Sequence, residues 1–287
     1  MKYTKIIMAM AVAVTGTLAM SGCKLSNHKS YDELVEEMVD RSGSVEIGGK
    51  RFADRCTKGG ASFDGQRIRN LEIDWYRDSV SIVAYDGNEV VISEVSDGQL
   101  SDTTTMHHYL DADGTLTIMF GKPGVKMKNQ DLPNKHLLVK VPRVSCLSGI
   151  EMNGMGYGLR MDSIVCDEME MNSVSDKIVL NECTMESLEV NGVSTSLEAT
   201  FSRMPDDIEL NAATMDAVLY VPKNAGIRLE MNGMNHSFDS ELPVLTKGGV
   251  NIIGDGDCDI ECNAMGGSLR IAVKAEDSRG QRTAAGN

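Results

Sequence analysis

The feature that most restricts this chain is an internal repeat. Asparagines stand at Asn153, Asn172, Asn191, Asn211, Asn232 and Asn263, at spacings of 19, 19, 20, 21 and 31 residues. Two residues before each lies a glutamate: Glu151, Glu170, Glu189, Glu209, Glu230 and Glu261. The positions flanking that glutamate are apolar in every copy, from Ile150 and Met152 to Ile260 and Cys262. Alternation of this kind belongs to a strand with one face buried. A period near twenty residues means that each unit buries its apolar face only by stacking on its neighbours. Beyond each asparagine the second and sixth positions are again apolar, for example Met155 with Leu159 and Val174 with Ile178. Each unit therefore reads as a strand, a bend at the asparagine, and a second strand. Leu71-Glu72-Ile73-Asp74 is a degenerate earlier copy with Asp for Asn, so six or seven repeats are expected.

Two architectures accommodate such units. In a hairpin array the asparagine opens a two-residue turn, which demands φ > 0 at both central residues and favours Asn-Gly. The following residue is Gly154, Ser173, Gly192, Ala212, Gly233 or Ala264, and alanine tolerates φ > 0 poorly. In a β-solenoid, a parallel β-helix-like stack, the asparagine alone takes the left-handed conformation at a corner. Like residues then lie ~4.8 Å apart, and an asparagine ladder hydrogen-bonds along the stack. The solenoid is the favoured reading: an all-β fold, with helix confined to residues 31–40, where Ser30-Tyr31-Asp32-Glu33 has capping-box spacing.

The N-terminus reads as an address. Lys2 and Lys5 precede an apolar stretch from Ile6 to Met20 that ends at Ser21-Gly22-Cys23. That stretch is shorter than the ~20 residues a spanning helix needs, so residues 1–22 read as a secretory signal. The small pair before Cys23 resembles a bacterial lipobox, which makes Cys23 the acylation site and the new N-terminus, although Met20 departs from the usual leucine. The expected organisation is residues 1–22 signal, 23–66 a lipid-anchored linker carrying the short helix, 67–145 a β-rich region leading in, 146–273 the repeats, and 274–287 a polar tail.

From about Leu71 to Ile271 the chain resembles the bacterial putative-adhesin domains of unknown function found in envelope lipoproteins and stress-operon proteins. The resemblance is carried by the Leu71-Glu72-Ile73-Asp74 opening, the Leu138-Val139-Lys140-Val141-Pro142 strand and the serial apolar-Glu-apolar-Asn units. It implies an all-β, solenoid-like fold and a place outside the cytoplasm. It supplies no catalytic residues.

Charge and motif content narrow the function. Removing residues 1–22 leaves 26 basic against 42 acidic residues, a formal charge of −16, which argues against nucleic acid as a partner. The bilayer is then met through the acyl anchor alone, each buried methylene contributing ~0.8 kcal/mol. The six glutamates at one register form an acidic stripe, read either as a solvated face or as a site for cations or a cationic partner. Asp255, Asp257 and Asp259 alternate as in a calcium loop, but the closing position holds Gly266. Beyond Cys23 remain Cys56, Cys146, Cys166, Cys183, Cys258 and Cys262 without a Cys-x-x-Cys pair, and they read mostly as buried thiols. His107-His108 points to opposite faces of a strand. No phosphate loop, nucleophile elbow or zinc-protease motif occurs, so neither cofactor nor metal is expected. The chain reads as a non-enzymatic surface lipoprotein that offers a repeat surface to an envelope protein or a polysaccharide. The alternatives are an envelope-stress accessory that binds a membrane regulator and a β-helical polysaccharide-processing enzyme.

Overall fold

The structure is a computed structural model, and it describes residues 44–47 and 54–275. The signal, Cys23, the helix expected over 31–40 and nearly all of the polar tail lie outside the described residues. The described chain is all-β. In order it forms β1 (Ser44–Glu46), β2 (Thr57–Lys58), β3 (Ala61–Asp64), β4 (Asn70–Tyr85), β5 (Glu89–Ser96), β6 (His107–Leu110), β7 (Thr115–Met119), β8 (Lys126–Lys128), β9 (Lys135–Pro142), β10 (Leu147–Asp162), β11 (Cys166–Val174), β12 (Asp176–Asn181), β13 (Ser187–Thr200), β14 (Asp207–Val221), β15 (Ile227–Ser240), β16 (Leu245–Lys247), β17 (Val250–Ile253) and β18 (Cys258–Val273). Among the described residues no helix is long and apolar enough to cross a membrane.

Each repeat is one long rung or a pair of strands in line, and successive rungs pair in parallel along both halves. β10 matches β4 from Gly149↔Asn70 to Asp162↔Val83, and it matches β11 and β12 with Asn153↔Asn172 and Leu159↔Ile178. In-register stacking follows from the alternation, because a slip of one residue would turn the whole apolar set outward. Leu71, Ile150, Met169, Leu188, Ile208, Ile260 and Leu229 line up, all buried. Each contributes about 1.5–3 kcal/mol of burial.

Three features depart from the expected coil. First, the left-handed residues are not the asparagines. They sit three positions beyond the ladder residue, at Arg77 (φ 71°), Gly156 (φ 63°) and Ser175 (φ 61°), and at a second corner at Ser163 (φ 57°) and Glu182 (φ 53°). The asparagines are strand residues instead, because their amides bond along the stack and need no turn. Second, the residue after asparagine is small on every rung, and only Gly154 (φ 156°) and Gly233 (φ 148°) also have positive φ. A β-carbon on Gly192 would lie 2.0 Å from Thr195 Oγ1, and one on Gly154 3.2 Å from the Tyr157 ring. The side chain four positions beyond the asparagine folds back over this spot.

Third, the rungs do not follow chain order. The sheet runs β15-β18-β14-β13-β11-β10-β4, with the last rung inserted between the two before it. β16 and β17 form a hairpin whose β17 lies antiparallel on β15, pairing residues 227–230. This hairpin covers part of the outer edge of β15, and β18 takes the inner place, parallel to both β14 and β15. The 31-residue spacing is the length of that detour. At the other end the rungs meet β7 and β9, which pair in parallel with the two halves of β4. β5 and β6 continue from these antiparallel.

Gly154 provides a sharp test of the corner. Its φ is 156°, and a β-carbon would stand 1.7 Å from the Trp75 carbonyl oxygen. Gly156 also has positive φ but has nothing within 4 Å of its β-carbon position. Gly154→Ala is expected to cost about 2–4 kcal/mol and Gly156→Ala about 1 kcal/mol, read by urea denaturation. Equal costs would contradict the corner geometry.

Candidate functional site

The edge that carries the repeat residues is the most regular surface of the molecule. Glu72, Glu151, Glu170, Glu189, Glu209, Glu261 and Glu230 occupy one row in that order. Beside it run Asp74, Asn153, Asn172, Asn191, Asn211, Asn263 and Asn232. Each asparagine uses its two amide protons in different directions. Along the stack, Asn172 donates to Asn153 Oδ1 at 3.2 Å and Asn191 to Asn172 at 3.1 Å. Asn211 donates to Asn191 at 3.0 Å, Asn263 to Asn211 at 2.8 Å, and Asn232 to Asn263 at 3.0 Å. Across the rung, Asn153, Asn172, Asn191 and Asn211 donate to Glu151, Glu170, Glu189 and Glu209 at 2.7–2.8 Å. Asn263 donates to Glu261 at 3.1 Å.

This crossed pattern explains why the pair is Glu-x-Asn. Like charges ~4.8 Å apart repel by about 1 kcal/mol even in water. A charge-assisted bond to each carboxylate is worth about 1.5–3 kcal/mol and offsets that repulsion. The same bonds pin Glu151, Glu170, Glu189 and Glu209 half-buried against the edge. Burial pushes the Glu170 carboxyl up, Glu151, Glu189 and Glu168 add to it, and the Asn172 bond opposes. At the outermost rung Glu230 pairs with Arg228 instead, and Arg228 also reaches Asp259 at 3.1 Å.

Asp74 ends the ladder. It accepts from Asn153 and has no asparagine beyond it, since its far neighbour is Met119. A carboxylate suffices where an acceptor is needed and no donor. Although the side chain keeps partial solvent contact, burial pushes its carboxyl up to about 7, with Glu72 and Glu151 adding to the effect and Asn153 opposing. Asp176 is likewise raised to about 6, by burial, with the neighbouring Ser173 hydroxyl pulling the other way. Unfolded carboxyls titrate near 4, so the folded state holds more protons between about pH 4 and 7, and stability falls as pH rises through 6–7. The protein is expected to melt higher at pH 5 than at pH 8. Asp74→Asn should gain stability at pH 8 and flatten that profile; a variant that melts lower at pH 8 with the slope unchanged would refute the assignment.

Next to the ladder lies a corner with different chemistry. A shallow groove of about 410 Å³ is lined by Gly156, Ser175, Lys177, Ser194, Thr214 and Asp216. Beneath it Tyr157, Asp176 and Thr195 occupy one register on three successive rungs. They are 2 %, 8 % and 3 % exposed, and Ser173 beside them is 1 % exposed. The Tyr157 hydroxyl, Ser173 Oγ, both Asp176 carboxylate oxygens and Thr195 Oγ1 have no well-formed hydrogen bond. Nothing in the repeat pattern announces these four, because they share a register without sharing an identity.

The adjacent histidines have local partners. His107 and His108 are buried and bond through Nδ1 to the carbonyls of Thr105 and Gly59. Asp111 caps a turn, accepting from the Thr115 and Asp113 amides. Cys166, Cys183, Cys258 and Cys262 are buried free thiols. Burial pushes Cys166 and Cys258 up to about 12, which leaves them unreactive at neutral pH. Among the described residues no three of His, Cys, Asp or Glu converge as a metal site. Sequence reading also missed Lys135 and Glu94, a buried pair at 2.7 Å under the first rung.

No family model matches the chain. No curated protein matches it either. Among solved structures it is similar to a putative cell adhesion protein from Clostridium sporogenes, at 11 % identity and a TM-score of 0.47, over 77 % of this chain and 100 % of that one. A likeness of this degree assigns no function.

Proposed function

We propose that the protein is a non-enzymatic lipoprotein of the bacterial envelope. Acylated Cys23 holds it on the extracytoplasmic side, and its stacked rungs act as a solenoid-like binding or adhesion surface for an envelope protein or a polysaccharide. The observation that carries this reading is the row of seven carboxylates at one-rung spacing, each fixed in register by the backbone ladder beneath it. An extended partner with regularly placed cationic groups would meet several equivalent contacts at once, and several weak contacts on one rigid frame multiply. The signal-like residues 1–22 and the small pair before Cys23 support the location.

The test is capture from solubilised envelopes with the mature chain as bait, beside a variant carrying Glu151→Gln, Glu170→Gln, Glu189→Gln and Glu209→Gln. A partner retained at low salt should be lost at least tenfold by the variant. Capture equal for both baits would reject the row as the binding surface. Mass spectrometry of the N-terminus tests acylation at Cys23, and cleavage of any acidic glycan by the pure protein would contradict the non-enzymatic reading.

A further inference from the structure

The corner beneath the groove poses a problem that the repeat does not solve. Asp176 opens β12, just after the left-handed Ser175, and its carboxylate is turned into the stack. Among the described residues no basic side chain pairs with it, and neither oxygen has a well-formed hydrogen bond. A buried carboxylate costs several kcal/mol unless a positive group or several donors compensate it. The neighbours are hydroxyl groups, and none of them makes a well-formed bond to it. Tyr157 precedes it by one rung, Thr195 follows by one rung, and Ser173 lies on its own rung in register with Gly154 and Gly192. The two glycines leave space for these side chains to fold inward, since a β-carbon on Gly192 would strike the Thr195 hydroxyl.

One carboxylate surrounded by three neutral hydroxyl oxygens, with no nitrogen or sulfur donor among them, is the chemistry of a hard cation. A path to it exists in the fold. The groove lies directly above, and at Gly156 nothing stands within 4 Å of where a side chain would begin. We propose that the Asp176 carboxylate, with the hydroxyl oxygens of Tyr157, Ser173 and Thr195, binds a single hard metal cation of the sodium or calcium type at this corner. Such an ion would tie three successive rungs together. The site is separate from the glutamate row and does not depend on the binding surface proposed above.

Thermal unfolding of the full chain in NaCl, CaCl2 or choline chloride at equal ionic strength tests this. Sodium or calcium should raise the melting temperature about 4 °C or more above choline once the ion exceeds its dissociation constant some tenfold. Sodium acting alone and calcium acting alone identify the ion. Asp176→Asn should abolish the increment, whereas the pair Glu170→Gln and Glu189→Gln should retain it. If Asp176→Asn does not fold, Thr195→Val, which removes one neutral ligand, should weaken cation affinity at least fivefold in calorimetric titration. Cations no better than choline, an equal response from Asp176→Asn, or unchanged affinity in Thr195→Val would each overturn the proposal.

Discussion

Replacing Glu94 by glutamine is expected to cost about 3–5 kcal/mol, because it leaves the Lys135 charge buried without its counter-ion. Lys135 has no solvent exposure, and its ammonium donates to Glu94 at 2.7 Å and to the Thr104 carbonyl at 2.7 Å, with the Phe120 carbonyl as a third acceptor. It also sits 4.8 Å from the Trp75 ring centroid and 4.2 Å from that of Phe120. Burial pulls the Lys135 amine down to about 8, against the bond and charge of Glu94, so the lysine is still charged near pH 7. The glutamine amide keeps an oxygen for the Met106 backbone N–H, which now bonds to Glu94 at 2.8 Å, so the variant isolates the charge. For a domain of this size the melting temperature should fall by roughly 6–20 °C. Lys135→Met combined with Glu94→Gln removes the orphaned charge and should be more stable than Glu94→Gln alone. A double variant that is the less stable of the two would show that the ammonium is held by its carbonyl and aromatic partners rather than by Glu94.

The second large effect is expected at the centre of the ladder. Asn172 is 2 % exposed, donates to Asn153 and Glu170, and accepts from Asn191. Asn172→Asp deletes both donated bonds and sets a new carboxylate against Glu170. The expected loss is on the order of 4 kcal/mol at pH 8, shrinking toward pH 5 as the introduced acid takes up a proton. The change is the reverse of Asp74→Asn, yet both alter one atom in one row. Chemical denaturation of the two variants at both pH values separates them. Losses of equal sign would mean that direction along the ladder does not matter, against the observed polarity in which every amide donates toward the Asp74 end.

These two sites differ in how far the sequence discloses them. The ladder is legible because stacking in parallel register forces equal environments to recur every rung, and equal environments select equal residues. Glu151 to Glu261 and Asn153 to Asn263 therefore repeat visibly, and so do the apolar positions around them. Lys135 and Glu94 are a single pair 41 residues apart, one lysine and one glutamate among many, and no period marks them. The corner is intermediate. Tyr157, Asp176 and Thr195 align only once the register is accepted, and then as a column of unlike residues whose common trait is a polar atom. The small residue after each asparagine was a signal for that column, since a side chain folding back requires space beneath it.

Sequence alone determined the repeat strands, their buried and exposed faces and the rows of glutamate and asparagine, because a two-residue alternation within a twenty-residue period admits few other solutions; parallel in-register pairing was the favoured of two readings, and β1, β2 and β3 lie in a stretch read as linker. Only the tertiary structure decided that β18 lies between β14 and β15, that the left-handed corners after Asp74, Asn153 and Asn172 fall three residues past them, and that Asp176 faces inward without a partner. Rung order and corner geometry depend on which surfaces are already covered when a strand arrives, as the β16–β17 hairpin covers part of β15. That is a property of the assembled sheet, and a local pattern of residues does not encode it.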